Sequence, residues 1–412
     1  MAKVETIGID TLQHVADEVF NNVVLGPGYA NPQETERMHV KIITGIQFQQ
    51  TRHILVRKGG LTRRKDMSKD LEESKIGYIK ERPIIAKLSY IRLRDNADNY
   101  TETVFGVDGQ GNYPFLVQTV ESVLKTFAED IAANKWFGDI ENGDEGMDLY
   151  NGWMTDIQNA IADGDIAKGL GNYLEHDPIT MPTDPSDTAA YDAIEDWVVR
   201  LNPRLKEKCL IYCDVKRGIY IARAYANKFG GNFKVDYTVG KSYKIPELGD
   251  VEIVPLASLG EGDCLIATVE ENFQFAVDTL SNETYCDVAK DTSKDNRDLV
   301  FQCQAKNGAN VFNLLPYAFT ISDGSFDKSG AILGDYKETL LIVNADGGSV
   351  TVDGNAYEAD KSYPESTTVT LKATAASGKT FKYWVVGNKT LTDAEITVVL
   401  KGMASAFTAV FE

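Results

Sequence analysis

Apolar residues recur at helical spacing in several segments of the chain, and residues 114–138 carry the longest such stripe. Pro114 suits the first turn of this helix, because the N–H that proline lacks has no helical partner there. At ~1.5 Å per residue the helix would be roughly 35 Å long. The same periodicity predicts shorter helices over residues 11–25, from about Gln33 onward, and over residues 187–201.

Two extended runs near the N-terminal end predict a protruding hairpin or loop. Residues 40–56 and 75–94 are rich in β-branched residues, which favours strands, although Pro83 restricts the second strand to an edge or a bulge. The run between them, residues 52–73, is polar and basic and contains a Gly-Gly pair. A polar tip between two strands is typical of a segment that projects from the molecule.

The middle of the chain alternates between strand and helix patterns without a regular repeat. Residues 209–214 predict a strand, which leads into a helix that ends at Phe229 with Gly230 as the residue after its last turn. Further strands are predicted over residues 251–254, 265–269 and 301–305. This order predicts an α+β fold rather than a series of βαβ units.

The last part of the chain has a different texture. Residues 336–412 show period-2 alternation and turn signals at Gly347-Gly348, Asp353-Gly354 and Gly387-Asn388, without a convincing helix. They predict a small all-β domain, and residues 322–335 are expected to be its linker.

The composition excludes several classes of protein. The net charge of the 412 residues is −19, and an acidic balance of this size disfavours broad, non-specific binding to DNA. No run approaches the roughly 18 apolar residues of a membrane helix. The N-terminal residues lack the apolar core of a secretory signal. The five cysteines, few and odd in number, are expected to be reduced and mostly buried thiols.

Charge is distributed unevenly along the chain. Residues 37–94 hold 15 Lys and Arg against 5 Asp and Glu, whereas residues 95–200 hold 4 against 22. These blocks could pair within one chain, or head to tail between identical chains, since a heterologous contact needs two complementary patches on each copy. Simple solvation of both faces is the third possibility.

Sequence motifs for catalysis and for cofactor or metal binding are absent or broken. Residues 235–242 resemble a phosphate-binding loop, but Val235 occupies the position of its first glycine. The four histidines are scattered, and the acidic residues 138–148 lack the glycine position of an EF-hand loop. The basic run has no interleaved aromatic residues on which bases could stack. We therefore predict no catalytic residue, no cofactor and no metal site.

Three segments carry a resemblance to a known family. They are residues 114–157 (PFLVQTVESVLKTFAEDIAANKWFGDIENGDEGMDLYNGWMTDI), 205–230 (LKEKCLIYCDVKRGIYIARAYANKFG) and 251–278 (VEIVPLASLGEGDCLIATVEENFQFAVD). In this order, and together with the predicted loop, they resemble the Hong Kong 97-type major capsid protein of tailed bacteriophages over roughly residues 5–320. The general character of the sequence also resembles that of major capsid proteins from crAss-like phages.

The resemblance implies a non-enzymatic structural protein with a set order of parts. These parts are an N-terminal arm (1–45), an extension loop with flanking strands (46–95), a spine helix with a peripheral domain (96–208) and an axial domain (209–321). It also implies self-assembly into hexamers and pentamers of an icosahedral shell around double-stranded DNA, in a virion assembled in the bacterial host cytoplasm. Implied partners are further copies, other head proteins such as portal, scaffold or auxiliary proteins, and DNA through weak contacts only.

The resemblance also gives the basic run a role as the extension loop, which lies across a neighbouring subunit. The residues implied in that contact are Arg52, Arg57, Lys58, Gly59, Gly60, Arg63, Arg64 and Lys65. Their cations would meet acidic residues 139–148 or 184–196 of the next copy, and the two glycines would let the loop bend.

Residues 336–412 resemble an internalin B-type repeat or a related bacterial Ig-like domain, through GGSVTVDG, VTLKATAASGKTFKYWVV and FTAVF. This resemblance implies that Phe381, Trp384, Phe407 and Phe411 are core residues and that the domain decorates the outside of a shell. The alternative function is that of a surface adhesin that binds host or mucin glycans through residues 336–412.

Overall fold

The computed structural model divides the chain into two compact units, Met1–Leu333 and Gly334–Glu412. The residues that it describes are 13–14, 16–17, 20, 32–57, 59, 62, 75–96, 114–141, 143, 146–230, 241–249, 251–278, 284–290, 298–327, 338–359, 361–364, 367–386 and 389–412.

The helices that the structure describes lie in the first unit. They are α1 (Pro32–Arg37), α2 (Pro114–Phe137), α3 (Trp153–Ala162), α4 (Ala189–Arg200), α5 (Pro203–Lys206) and α6 (Val215–Phe229), with 3-10 turns at Lys168–Leu170 and Pro246–Leu248. No helix among the described residues is long and apolar enough to cross a membrane.

The strands of the first unit form two large sheets, one hairpin and one short pair. The strands are β1 (Lys41–Thr44), β2 (Gln49–Arg57), β3 (Gly77–Ile85), β4 (Lys87–Asn96), β5 (Tyr173–Leu174), β6 (Leu210–Asp214), β7 (Tyr243–Ile245), β8 (Val251–Leu256), β9 (Glu261–Gly262), β10 (Ile266–Thr268), β11 (Phe273–Val277), β12 (Tyr285–Lys290), β13 (Asp298–Val311), β14 (Phe319–Ser322) and β15 (Phe326–Asp327).

The first sheet has the order β1-β11-β13-β12, and β4 pairs along the long strand β13. Alternate residues of β13, such as Cys303, Ala305 and Val311, are buried in one core with Phe127 and Ile131 of α2. Because side chains alternate between the faces of a strand, these residues turn one side of the sheet toward the long helix.

The second sheet has the order β5-β14-β10-β6-β8-β7 and is buried on both faces. In β6, Leu210 and Tyr212 join the core beneath α2, whereas Ile211 and Cys213 join a second core with α4 and α6. A strand with apolar residues on both faces needs cover from both sides, which accounts for its uninterrupted apolar run LIYC.

Aromatic side chains fill the centre of the core under α2. The ring of Phe273 lies 5.7 Å from Trp136, 5.4 Å from Trp153 and 5.2 Å from Tyr212 between ring centroids. Trp153 Nε1 donates a hydrogen bond to the carbonyl oxygen of Gln274 at 2.9 Å, so the polar atom of this buried ring has a partner. This contact fixes α3 against the first sheet.

The periodicity of the sequence predicted α2, α4 and α6, and the α+β class is confirmed, but α3 was not predicted. The helix predicted over residues 11–25 lies largely outside the described residues. Helix α2 ends at Phe137, one residue before the predicted end, and α4 occupies residues 189–200 of the predicted 187–201. Helix α6 ends at Phe229, and Gly230 follows it with a positive φ of 56°.

The segments interleave more than the predicted boundaries suggest. Helices α4 and α6 lie on opposite sides of the boundary predicted at residues 208 and 209, yet they pack in one core. The described strands within residues 273–311, which the resemblance assigns to the axial domain, build the sheet under α2, and the boundaries of the peripheral and axial domains stay a prediction. The predicted linker began at residue 322, but Ser322 ends β14 and β15 still pairs with β9.

The cysteines differ from the prediction of reduced thiols at one pair. Cys209, Cys213 and Cys264 are free and buried, as expected. Cys286 and Cys303, however, face each other in the antiparallel ladder of β12 and β13 and are joined as a disulfide. Sequence spacing could not show this pair, since it depends on strand register.

The second unit is an all-β domain with its own core. Its strands are β16 (Glu338–Asp346), β17 (Gly348–Val352), β18 (Asn355–Ala356), β19 (Ser362–Pro364), β20 (Thr368–Ala375), β21 (Phe381–Val386), β22 (Lys389–Leu391), β23 (Glu395–Val399) and β24 (Ala404–Phe411). They form two sheets, in the orders β19-β16-β24-β21-β22 and β18-β17-β20-β23.

The residues expected in this core lie in or against it. Trp384 is fully buried and Phe407 is nearly so, while Phe381 and Phe411 are partly buried and pack on the same cluster. The rings of Phe381 and Phe411 meet edge to face with centroids 5.8 Å apart. These four side chains lie on β21 and β24 of one sheet and belong to a core cluster that residues of both sheets form.

Replacing Gly348 by alanine is expected to destabilise the second unit. A Cβ at this position would lie 2.5 Å from the carbonyl oxygen of Thr374 and would also overlap the ring of Phe411. Overpacking of this kind costs about 1–3 kcal/mol, which lowers the Tm of a domain of this size by at least about 4 °C. Differential scanning calorimetry of the full chain measures the change. In the control Gly169→Ala a Cβ meets nothing within 4 Å, so an equal Tm loss there would contradict the explanation.

Candidate subunit interface

The hairpin of β2 and β3 forms a two-stranded sheet of its own. Its register runs from Gln49 opposite Ile85 to Arg57 opposite Gly77. An isolated two-stranded ribbon is marginally stable in water, because neither face is covered. The hairpin therefore depends on contacts with other parts of the protein or with another molecule.

The inner face of the hairpin contacts the first unit through apolar side chains near its root and through polar side chains farther along. Ile84 is fully buried and packs with Ile46, Ala86 and Ala276, while Ile54 is also buried. Farther along the same face, the side chain of Tyr78 is 62% exposed. The inner face thus becomes more exposed from Ile54 to Tyr78, although Tyr78 still lines a cavity together with Leu170 and Pro316.

Arg82 and Asp156 fix the root of the hairpin to α3. Nη2 of Arg82 lies 2.6 Å from Oδ2 of Asp156 and donates to the carbonyl oxygen of Val311 at 3.1 Å. The N–H of Val311 donates to the same Asp156 oxygen at 2.8 Å. Burial raises the pKa of Asp156 above its ordinary value, although the charge of Arg82 and the Val311 hydrogen bond oppose this rise. The Asp156 carboxylate is therefore a costly group to leave without its partner.

Two further contacts hold the inner face. Lys80 Nζ lies 2.5 Å from Oδ1 of Asp165, and Arg52 Nη1 donates to Oε1 of Gln274 at 2.9 Å. The Arg52 guanidinium also lies over the ring of Phe312, 5.4 Å from its centroid. A cavity of about 270 Å³, lined in part by Ile54, Lys80, Leu170 and Pro316, separates the hairpin from the unit beside these contacts.

The outer face of the hairpin presents apolar side chains to solvent. Leu55 and Ile79 stand directly opposite each other, 45% and 63% exposed, and Ile85 on the same face is 45% exposed. Ile76, just before β3, is 64% exposed. Exposed apolar side chains grouped on a projecting element mark a surface suited to another protein.

The predicted contact residues differ in where the structure places them. Arg52 lies on the inner face and contacts its own unit, whereas Arg57 is exposed at the end of β2. Gly59 has open space around it, because a Cβ there would meet nothing within 4 Å. Lys58, Gly60, Arg63, Arg64 and Lys65 lie outside the described residues.

The acidic residues expected to receive the loop are partly engaged within the chain. Lys228 Nζ lies 2.7 Å from Asp192 and 2.7 Å from Glu195, and Arg200 pairs with Asp196. Hydrogen bonds from Ser186 lower the pKa of Asp184, so this exposed carboxylate is ionised at neutral pH. Exposed acidic groups therefore remain on this surface, although several already have one cationic partner.

Sequence reasoning missed the apolar residues of the outer face and the acidic anchors Asp156 and Asp165. The sequence held a signal for the apolar residues. Leu55 and Ile79 stand at alternate positions from the polar residues His53 and Glu81, so all four share one face of the hairpin. The anchors are distant in sequence and carry no local motif. Among the described residues, no group of three or more potential ligands could hold a metal ion.

Comparison with solved structures finds phage-type capsid proteins. The capsid of the native GTA particle has 12% identity and a TM-score of 0.48, covering 70% of this chain and 89% of that one. The cyanophage A-1(L) capsid has 10% identity and a TM-score of 0.45, covering 70% and 92%. The satellite phage P4 procapsid, which includes the size determination protein Sid, has 10% identity and a TM-score of 0.42, covering 78% and 91%.

Comparison of the sequence with family models identifies the second unit. Residues 339–412 match the model of the divergent InlB B-repeat domain. This match confirms the resemblance to an internalin B-type repeat. A search of curated proteins finds no significant match.

Replacing Arg82 by glutamine is expected to loosen the root of the hairpin. The change leaves the partly buried Asp156 without its cation, and breaking a buried pair in this way typically costs about 3–5 kcal/mol. Chemical denaturation of the first unit measures the loss, and hydrogen exchange locates it at β2, β3 and α3. The matched control is Arg92→Gln on the exposed side of β4, for which a change within about 0.5 kcal/mol is expected. Equal losses in both variants would show that the contact does not anchor the hairpin.

Proposed function

We propose that this protein is the major capsid protein of a tailed phage. In this proposal, copies of the chain assemble into the icosahedral head shell that encloses double-stranded DNA. Its role is structural, and its place is the virion, after assembly in the cytoplasm of the bacterial host.

The observation that carries the proposal is the hairpin of β2 and β3. Its root is fixed by Arg82 and Asp156, while Leu55 and Ile79 are exposed on its outer face. A ribbon held rigidly at one end and apolar beyond it is suited to reach a second copy of the chain. The order of the elements, with the hairpin before the long helix α2 and the mixed sheets after it, is the order that the sequence resemblance implies for a capsid subunit.

The proposed contact between copies combines an apolar patch with opposite charges. The apolar side chains of the outer face would be buried against the neighbouring copy, and this removal of apolar surface from water would supply affinity. The basic residues of the loop would meet acidic residues within 139–148 or 184–196 of that copy. Exposed ion pairs contribute only about 0–1 kcal/mol each, so their main effect would be on register and assembly rate.

The second unit is proposed to lie on the outer side of the shell. Its separate core and its place after the linker support a domain that folds independently of the shell contacts. Host or mucin glycans are its proposed ligands, while portal, scaffold or auxiliary proteins would be partners of the first unit. Contacts with the packaged DNA are proposed to be weak, as expected for a chain with net charge −19.

Replacing Leu55 and Ile79 together by serine is expected to prevent or slow shell assembly while the monomer stays folded. The change removes apolar contact area from the interface but none from the core, because both side chains are exposed. Light scattering and electron microscopy of the purified chain measure assembly, and circular dichroism checks the fold. Met403→Ser is the control, since Met403 is 61% exposed in the second unit. Normal shells from the double variant would refute the role of the outer face.

Reversing the charges of Arg63, Arg64 and Lys65 to glutamate is expected to block or misdirect assembly. Repulsion would then replace attraction toward the acidic surface of the neighbouring copy, and the effect should weaken as salt screens it. Static light scattering at low and moderate salt measures both results. Shells of normal shape and yield from the triple variant would show that the loop charges do not guide assembly.

A further inference from the structure

A buried histidine lies between two carboxylates near the end of the described part of the first unit. His176 follows β5, and its side chain is 2% exposed. Its Nδ1 lies 3.2 Å from Oδ1 of Asp323, and its Nε2 lies 3.5 Å from Oδ2 of Asp263. The backbone N–H of His176 donates to the same Asp323 oxygen at 3.0 Å. Three separate segments of the chain therefore meet at one imidazole ring.

The segment held by this cluster is the connector root, residues 323–327, which follows β14 and leads toward the second unit. Asp263 N–H donates to the carbonyl oxygen of Ser325 at 2.7 Å, and β15 pairs with β9 over two residues. These backbone contacts are few. The contact of Asp323 with His176 is the side-chain ion pair that fastens the root to the unit.

The surrounding carboxylates and the Arg217 guanidinium make the net charge of the cluster depend on whether His176 is protonated. Asp263 accepts the N–H of Ile179 at 3.2 Å and lies 3.6 Å from Nε of Arg217. The same Arg217 pairs with the buried Asp214 at 2.9 Å. Asp214 and Asp263 thus share the Arg217 guanidinium, while Asp263 and Asp323 flank the imidazole of His176, which when protonated is the second cation of the cluster. Other titratable groups on the elements around His176 include Lys168, Tyr173, Glu175, Asp177, Arg200, Lys216, Glu261 and Cys264.

The direction of the pKa shifts agrees with this geometry. Burial alone lowers the pKa of His176, but the two aspartates outweigh burial and raise it above its ordinary value of 6.5. Burial raises the pKa of Asp323, but the hydrogen bonds from the ring and the backbone of His176 bring it below 3.8. The ion pair therefore exists between the lowered pKa of Asp323 and the raised pKa of His176.

We propose that His176, Asp263 and Asp323 form a proton-dependent clasp, which holds the connector root on the first unit while His176 is charged and loosens it when the proton leaves. A histidine whose folded-state pKa is raised contributes stability that is fully present below 6.5 and is lost as the pH rises through the raised value. Release of the root would free residues 323–327, which span at most roughly 17 Å when extended. The proposal does not depend on the assembly function.

Hydrogen exchange of the full chain, followed from below pH 6.5 to well above it, tests the clasp. The amides of His176, Ile179 and Asp263 report on it, because each donates within the cluster or to the root. Exchange rates are first corrected for the intrinsic effect of pH. As the pH rises through the pKa of His176, the protection factors of these amides should then fall. The expected fall is about tenfold for each pH unit by which the pKa of His176 in the closed cluster exceeds its pKa in the open state. Amides of β16 and β24 in the second unit should not change in parallel.

The variant His176→Gln keeps the backbone donor but cannot titrate in this range. In this variant the root amides should be less protected from exchange at low pH than in the wild-type chain, and their protection should not fall further as the pH rises. The matched control is His53→Gln, because His53 lies 3.7 Å from Glu81 but is exposed, and it should retain the wild-type response. A retained pH response in His176→Gln overturns the proposal.

The wild-type chain provides a second measurement that does not depend on how the variant folds. NMR titration of the histidine Cε1–H signals gives the pKa of His176 directly. A value above 6.5 that coincides with the midpoint of the exchange transition supports the clasp. A value at or below 6.5, or equal loss of protection throughout both units, overturns it.

Discussion

A ribbon of two strands cannot cover both of its own faces, and this constraint governs the hairpin of β2 and β3. Its inner face is covered near the root by Ile84 and its neighbours and is held by Arg82 on Asp156. Its outer face, with Leu55 and Ile79, has no cover within the described part of the first unit. Contacts at the root hold the hairpin within a single copy, and the exposed outer face is the surface that we propose a neighbouring copy covers.

The rest of the first unit explains why the root can be rigid. Helix α3 carries Asp156 and is itself fixed by Trp153, whose ring packs on Phe273 and whose Nε1 bonds to Gln274. The strand that contains Gln274 lies under the long helix α2 and beside β13, which supplies Val311 to the Arg82 contact. The aromatic core and the hairpin root are therefore connected through α3 and β13.

Local patterns in the sequence sufficed for α2, α4 and α6, the all-β second unit and the existence of the hairpin, because each depends on neighbours a few residues apart, but they did not predict α3. They did not reveal which strands share a sheet, since β11 and β13 join β1 and β4 across more than two hundred residues. The anchor of Arg82 on Asp156 is likewise a product of tertiary packing. The basic run predicted a contact between charged residues. The described residues also place an apolar pair, Leu55 and Ile79, at the candidate interface.

Cryo-electron microscopy of the particles that the purified chain forms at low and moderate salt tests the central claim most directly. The account predicts closed or tubular assemblies in which the outer face of β2 and β3 is covered by a neighbouring copy at Leu55 and Ile79. Assemblies in which this face remains in solvent would contradict it. So would a 45.4 kDa monomer that persists at high concentration, with or without a scaffold protein.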